Sequence, residues 1–276
     1  QGPTRFWYDK LGRIAASQNP QQALENKYSY TLYDQLGRIS STGQTVTTVP
    51  LTTTILRSVL WESLFGQWVG NGTQTEITII RYDEDSPPVA ALFYNGKQEN
   101  TRLRIASLYY YDVEGPVGDY ASAIYYSYDA HGNVKEQIQD VPALTPVQQD
   151  KKSTQYAYEL ISGNMKEVAY QKGKRDALTH RYHYDELNRL TEVEASISNK
   201  GIYFDRQARY HYYDYGPLAR IEYGQKQVQG QDFAYTINGW LKGMNASVLQ
   251  RDRDMGKDGT TGYLTSNPSA HTLFAR

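Results

Sequence analysis

A short phrase that returns along the chain constrains this sequence more than any other feature. Tyr8-Asp9-Lys10-Leu11-Gly12-Arg13-Ile14 recurs as Tyr33-Asp34-Gln35-Leu36-Gly37-Arg38-Ile39 and as Tyr128-Asp129-Ala130-His131-Gly132-Asn133-Val134. Tyr184-Asp185-Glu186-Leu187-Asn188-Arg189-Leu190 repeats it with Asn in the Gly slot. Degenerate copies begin at Tyr82-Asp83, Tyr111-Asp112, Tyr158-Glu159, Tyr213-Asp214 and Tyr235-Thr236; the later starts, 158, 184, 213 and 235, lie 26, 29 and 22 residues apart. A period in the twenties means one supersecondary unit per repeat, stabilised by stacking on its neighbours.

The chemistry of the phrase defines that unit. Tyr residues alternate ahead of the Asp, as in Tyr109/Tyr111, Tyr126/Tyr128, Tyr156/Tyr158 and Tyr182/Tyr184, the period of a strand with one ring-bearing face. Asp then accepts backbone N–H groups inside a type I turn, and Gly three residues on takes the left-handed conformation. Asn188 suits the same slot. Each repeat is therefore expected to be a β-hairpin, marginal alone, with turns at Asp112, Asp129, Asp185 and Asp214. The predicted fold is all-β: consecutive antiparallel hairpins in one continuous spiralling sheet, part of a hollow shell.

Two stretches break the rhythm. Ile55, Leu56, Val59, Leu60, Leu64 and Trp68 fall at helical spacing, predicting one inserted amphipathic helix over Thr52 to Val69, ended near Gly70-Asn71-Gly72. Thr145 as N-cap, Pro146 at N1 and Gln148 at N3 predict a brief helix running to about Lys151. The resulting division is hairpins over 1–50, helix and linker over 51–72, hairpins over 73–245, and a loop over 246–276.

Composition fits this reading. Mean hydropathy is −0.69, yet 26 Tyr are present, so apolar contact must come largely from amphipathic rings. The formal net charge of −1 offers neither the self-repulsion of a disordered chain nor the basic excess that nucleic-acid binding uses. With no cysteine, a disulfide framework and a thiolate metal site are excluded. No run reaches the roughly 20 apolar residues of a membrane span; the nearest, Val59 to Val69, is broken by Glu62, Gly66 and Gln67. The opening at Gln1, with no Met and no signal-like segment, reads as an internal fragment.

These phrases resemble the Rhs/YD repeat, whose pattern is close to Tyr-Asp-x-x-Gly-Arg-Leu, and the resemblance covers most of the chain. The stretch from Gln155 to Gly243 is similar to the region just upstream of the Rhs core in very large secreted bacterial proteins. The resemblance implies a ribbon of β-sheet wound into a hollow shell, like the cocoons of insecticidal toxin complexes and the barrel of teneurins. In bacterial members the shell encloses a C-terminal toxin, released by self-cleavage at an aspartate-containing core motif that this sequence does not include. The implied partners are the rest of the shell, the enclosed C-terminal domain and a bacterial secretion machinery; the implied location is secreted or cell-surface.

Candidate sites each have a plainer reading. His180, His183 and His211 suggest a metal, but residues 180 and 183 of a strand point to opposite faces. Asp252, Asp254 and Asp258 hint at a calcium loop, yet Gly256 and Tyr263 occupy ligand positions. Arg13, Arg38 and Arg189 are expected to stack on Tyr rings and bond turn carbonyls rather than bind an acidic cargo. Asn71-Gly72-Thr73 and Asn245-Ala246-Ser247 match the glycosylation sequon. With no nucleophile–base pair, phosphate loop or metal spacing, no enzyme and no cofactor are expected. The residues singled out are those of the repeat: Tyr8, Asp9, Gly12, Arg13, Tyr33, Asp34, Gly37, Arg38, Tyr128, Asp129, Gly132, Tyr184, Asp185, Asn188 and Arg189. The alternative function is a surface adhesion or glycan-binding module using the Tyr-rich face.

Overall fold

The computed structural model describes residues 2–83, 87–113, 115, 119–198, 203–227 and 229–245. Its sixteen strands form one sheet in which spatial order equals sequence order, with no crossover. Local pairing of this kind follows from the repeat, because each Tyr-Asp phrase closes one hairpin before the next begins. The chain divides into two compact units, residues 1–153 and 154–276, with the boundary inside one strand.

Unit 1 holds β1 (Arg5–Tyr8), β2 (Ile14–Gln18), β3 (Lys27–Tyr33), β4 (Ile39–Val46), β5 (Thr73–Tyr82), β6 (Ile105–Val113), β7 (Ser122–Tyr128) and β8 (Val134–Asp140). The strand β9 (Lys151–Tyr158) straddles the boundary. Three insertions accompany these strands. A short helix α1 (Pro20–Leu24) joins β2 to β3, started by a capping box in which Asn19 and Gln22 exchange side-chain-to-backbone bonds of 2.8 and 2.9 Å. The insertion expected as one amphipathic helix is folded as two, α2 (Thr53–Arg57) and α3 (Trp61–Gly70), separated where Ser58 turns extended. A third segment follows β5 and contains α4 (Pro87–Ala90).

Both larger insertions lie over a sheet face. Leu56, Trp61, Phe65, Trp68 and Val69 are buried with Ala16, Tyr28 and Tyr30 in one apolar cluster. Tyr28 makes edge contacts with Trp7 at 5.6 Å and Trp68 at 5.1 Å, and Trp68 Nε1 donates to the Val49 carbonyl at 2.9 Å. Gly43 leaves room for Tyr30: a Cβ there would sit 2.8 Å from the phenol oxygen. The second cluster joins Val89 and Phe93 of the third insertion to Ala123, Tyr125 and Ile138.

Unit 2 continues with β10 (Met165–Tyr170), β11 (Leu178–Tyr184), β12 (Leu190–Ser196), β13 (Asp205–Tyr212), β14 (Leu218–Tyr223), β15 (Gln229–Tyr235) and β16 (Leu241–Met244). No helix is present among its described residues.

Three local expectations are corrected. Asp112 does not turn the chain; it is the penultimate residue of β6, and the Tyr111-Asp112 pair only imitates the phrase. The copy placed at Tyr213-Asp214 is shifted by one: the turn runs from the Tyr213 N–H to the Pro217 carbonyl at 2.9 Å, so Tyr212 is the repeat tyrosine and Tyr213 fills the Asp slot. Thr145 and Pro146 do not start a helix but lie inside a 3-10 turn, Pro142–Val147, which ends on left-handed Gln148. The chain beyond residue 245, including the loop with Asp252, Asp254 and Asp258, lies outside the described residues.

Candidate functional site: the latch between hairpins

The turn explains why Asp, Gly and Arg recur at fixed offsets. Asp9 Oδ1 accepts the Leu11 and Arg13 backbone N–H groups at 2.8 and 2.9 Å, and its Oδ2 accepts Arg13 Nε at 2.7 Å. Its own N–H donates to the Arg13 carbonyl, and its carbonyl accepts the Gly12 N–H. Asp34 with Arg38 and Asp185 with Arg189 repeat this arrangement, again with Nε–Oδ2 at 2.7 Å. In the third copy Asn133 Nδ2 donates to Asp129 at 3.0 Å.

The fourth turn position is left-handed each time, with φ of +79° at Gly12, +80° at Gly37, +93° at Gly132 and +61° at Asn188. Positive φ favours Gly and then Asn. After each of these turns the return strand carries one extra residue; Tyr8 pairs Ile14 while Trp7 pairs Ala16, for example. This is a β-bulge. It leaves one residue of the return strand unpaired, so that the repeat tyrosine and the residue before it pair residues two apart.

The carboxylates of Asp34, Asp129 and Asp185 are held as anions. For Asp185 the backbone N–H of Arg189 is the largest influence lowering its pKa, followed, against burial, by the Arg189 side chain and the Leu187 N–H. At Asp34 and Asp129 burial pushes upward, but hydrogen bonds from residues 38 and 133 respectively outweigh it.

Arg then reaches the next repeat. Arg13 lies 4.0 Å above the Tyr33 ring centroid, and Tyr33 Oη donates to the Ile14 carbonyl at 2.9 Å. Arg38 lies 4.1 Å above Tyr82, which donates to Ile39 at 3.0 Å. Arg189 lies 4.6 Å above Tyr212, which donates to Leu190 at 2.7 Å. Thus Asp9, Asp34 and Asp185 each orient an Arg, and each of these Arg residues with the carbonyl after it clasps the following tyrosine. Cation–π stacking and a neutral hydrogen bond add about 0.5–1 and 0.5–1.5 kcal/mol respectively.

Sequence reading missed a fourth latch. The hairpin opened by Tyr82-Asp83 is interrupted by the third insertion, yet the Asp83 N–H still donates to the Arg104 carbonyl. Arg104-Ile105 therefore stands where Arg13-Ile14 stands, with Tyr128 Oη donating to Ile105 at 2.8 Å and the Arg104 guanidinium 5.5 Å from that ring. Gln98 Nε2 ties the insertion down by donating to the Ala106 and Tyr126 carbonyls at 2.7 and 2.9 Å. The available signal was the Arg-Ile pair itself, far downstream of its Asp.

The face opposite the latch tyrosine differs between the units. In unit 1 it carries Tyr28, Tyr30 and Leu32 under the inserted helices. In unit 2 the corresponding positions are charged: Arg181 bonds Glu167 at 3.0 Å, His183 bonds Glu194 at 2.9 Å, Arg209 bonds Glu192 at 2.8 Å, and Arg220 bonds Asp232 at 2.8 Å. These residues pair across successive strands, forming a ladder of alternating sign. His211 lies 3.4 Å from Glu222; hydrogen bonding to His211 is the main influence that brings Glu222 down to about 2 despite its burial, with the His211 and Arg220 charges adding.

The histidine candidates are not brought together as a ligand set. His180 pairs Ala195 and His183 pairs Glu192, which puts them on opposite faces. Among the described residues no group of three or more His, Cys, Asp or Glu could hold a metal. A shallow cleft of about 310 Å³ is lined by Lys166, Glu167, Arg181, Tyr182 and His183 among others. A buried polar cluster occurs in unit 1, where Tyr120 Oη lies 3.2 Å from Tyr125 Oη and donates to Asp140 Oδ2 at 3.0 Å. Burial, then the bond to Tyr120, pushes the Tyr125 phenol far up, so this hydroxyl stays protonated. Among the described residues no helix is long and apolar enough to cross a membrane.

No family model matches the chain, and no curated protein does. Among solved structures it matches TcdB2-TccC3 without its hypervariable C-terminal region, with a TM-score of 0.57 and 14% identity over 88% of this chain and 10% of that one. It also matches TcdB2-TccC3 itself, with a TM-score of 0.56 and 15% identity over 88% and 10%. The likeness is one of fold. The chain spans 10% of the length of these neighbours, and what it shares with that tenth is a strip of sequential hairpins.

Proposed function

We propose that this chain is a wall segment of a large secreted shell-forming repeat protein, in which it is structural and has no catalysis of its own. The observation that carries the reading is the latch: the Arg and the following carbonyl at Arg13, Arg38, Arg104 and Arg189 are taken up by Tyr33, Tyr82, Tyr128 and Tyr212 of the next repeats. A strip built this way lengthens by adding units and needs no central core, which is what enclosing a volume requires. The fold of TcdB2-TccC3 supports the reading, and that protein's hypervariable C-terminal region suggests the content: a C-terminal toxin or effector domain held inside. The partners are then the remaining hairpins of the same shell, the enclosed domain and a secretion machinery.

Electron microscopy of the parent protein tests this directly. A hollow particle with internal density, and a C-terminal domain protected from protease only while the shell is intact, are the expected results; a solid or open particle would defeat the reading. The non-catalytic role is tested by metal analysis and a hydrolase panel on the purified chain, where stoichiometric metal or turnover lost on a single His or Asp substitution would overturn it. A second reading, glycan binding, is favoured by the half-buried Tyr156, Tyr182 and Tyr210 rings of unit 2, since such rings stack on sugars. A glycan array separates the two.

A further inference from the structure

Unit 2 has a second side that the charge ladder does not use. Residues alternate between faces along a strand, so Tyr182, Val193, Tyr210 and Tyr223 stand opposite Arg181, Glu192, Arg209 and Glu222 of the ladder. Tyr182 pairs with Val193, Val193 with Ala208 and Ala208 with Tyr223, one row across four adjacent strands. The row reads ring, small, small, ring, and spans about 14 Å at the usual strand spacing. Beside it His180 pairs with Ala195, its ring stacked 6.5 Å from Tyr182. Tyr210 follows Ala208 by two residues and closes the other end. Burial pushes the Tyr210 phenol upward, and the Tyr223 and Tyr182 phenols lie near enough to add to that push.

Three features set this trough apart from ordinary sheet surface. Alanine is a weak strand former, yet Ala195 and Ala208 stand in the floor, where longer side chains would fill the space between the rings. The repeat tyrosines Tyr33, Tyr82, Tyr128 and Tyr212 all donate their hydroxyls to carbonyls; the half-buried Tyr182 and Tyr210 have no hydrogen-bond partner for theirs among the described residues. The strands β11 to β14 are each paired on both sides, so the opening does not arise at a sheet edge.

We infer that the trough is a binding site for a neutral oligosaccharide, the C–H faces of its sugar rings stacking on Tyr182 and Tyr223 and its hydroxyls bonding Tyr182 and Tyr210 Oη. Aromatic planes with unused hydroxyls suit a ligand that is itself part apolar and part hydroxylated. Tyr182, Tyr210, Tyr223, Val193, Ala195 and Ala208 carry no formal charge, so the anion of a sialylated or sulfated glycan would lose water here without gaining a partner. A peptide strand would need a free sheet edge to pair with, and β11 to β14 offer none. The inference rests on the glycan reading, which it narrows to one face and one ligand charge, and it holds whether or not the parent is hollow.

The test is calorimetric titration of the full chain with cellotetraose, chitotetraose and maltotetraose, beside an array of neutral, sialylated and sulfated glycans. Binding of a neutral glycan is expected, weakened about tenfold by Tyr182→Ala or Tyr210→Ala. Tyr182→Phe and Tyr210→Phe keep the rings and the fold, which thermal melts would verify, and should weaken binding about threefold by removing a hydroxyl alone. Tyr126→Ala, two residues ahead of latched Tyr128 in unit 1, should leave affinity unchanged. An array blank for every glycan defeats this inference and the glycan reading together. Binding confined to sialylated or sulfated glycans, or neutral binding that survives the Ala and Phe substitutions at Tyr182 and Tyr210, overturns this site and leaves the glycan reading standing.

Discussion

Unit 1 and unit 2 use one hairpin grammar and finish its second face in opposite ways. In unit 1 the face away from the latch carries Tyr28, Tyr30 and Leu32, and inserted helices bury it; in unit 2 the matching positions carry Thr179, Arg181 and His183, within a charge ladder. The latch is common to both, so stacking of hairpins does not require a core on that face. What varies is whether a cap is present, and the residues follow it: apolar rings where α2 and α3 lie, alternating charges where no helix lies among the described residues. Stability should therefore be concentrated under the caps in unit 1 and spread thinly in unit 2.

The largest expected effect tests the capped side. Phe65 is fully buried beside Trp68, with ring centroids 5.8 Å apart, so Phe65→Ala should cost about 3–5 kcal/mol. Denaturant melts would measure the loss, and amide exchange would locate it. Faster exchange in β3 and β4 with β11 and β12 unchanged is expected; equal loosening of both units would break the comparison.

Next comes the element that both units share. Gly37 sits at φ +80° with Arg13 Nη1 3.2 Å from where its Cβ would lie, so Gly37→Val combines a disfavoured backbone region with crowding of the latch, costing about 1–3 kcal/mol. Gln35→Val, at an exposed position of the same turn, is the control. Thermal melts that agree for the two variants would show that the left-handed position does not hold the turn.

How far the sequence disclosed this structure depends on how local each signal is. The hairpins at Asp9, Asp34, Asp129 and Asp185 were legible because every bond of the turn lies within five residues. At Tyr212 the same logic misled: Tyr213-Asp214 spells the phrase, but Gly216 needs its partner three residues earlier, which is Tyr213, and the spacing to glycine overrides the spelling. Asp112 has Gly115 at the same offset, but that glycine does not take the left-handed conformation and Asp112 stays within β6. The break between α2 and α3 was hidden because Val59 and Leu60 keep an apolar pattern while standing 87% and 67% exposed. The latch from Arg to the next tyrosine was only half visible: stacking was foreseeable from residue type, whereas its partner depends on which strand lies alongside.

A smaller effect sharpens the contrast through pH. Glu222 is held at about 2 against an ordinary 4.5, chiefly by His211. A carboxylate with a lowered folded pKa contributes stability that is full above about 4.5 and is lost as pH falls through about 2. The melting difference between the natural chain and Glu222→Gln should therefore narrow below 4.5 and vanish near 2, the lowered pKa values of Asp34, Asp129 and Asp185 being common to both proteins and cancelling. A difference that is flat with pH would remove Glu222 from the ladder's stabilising groups.

The smallest effect is the most discriminating. Arg181 bonds Glu167 at 3.0 Å and its guanidinium lies 3.7 Å from the Phe204 ring centroid, yet its side chain is 42% exposed. Water screens such a pair, so Arg181→Ala should cost only about 0–1 kcal/mol, although the residue occupies the position of fully capped Tyr30 in unit 1. Replacing Tyr30 by Ala should cost several-fold more, since its ring is 2% exposed and its hydroxyl donates to Gln74 at 2.8 Å. Matched denaturant melts of the two variants decide the matter. Similar losses would mean that the ladder stabilises its face as strongly as a buried core does, and that alternating charge is a substitute for a cap rather than the surface of a wall that has none.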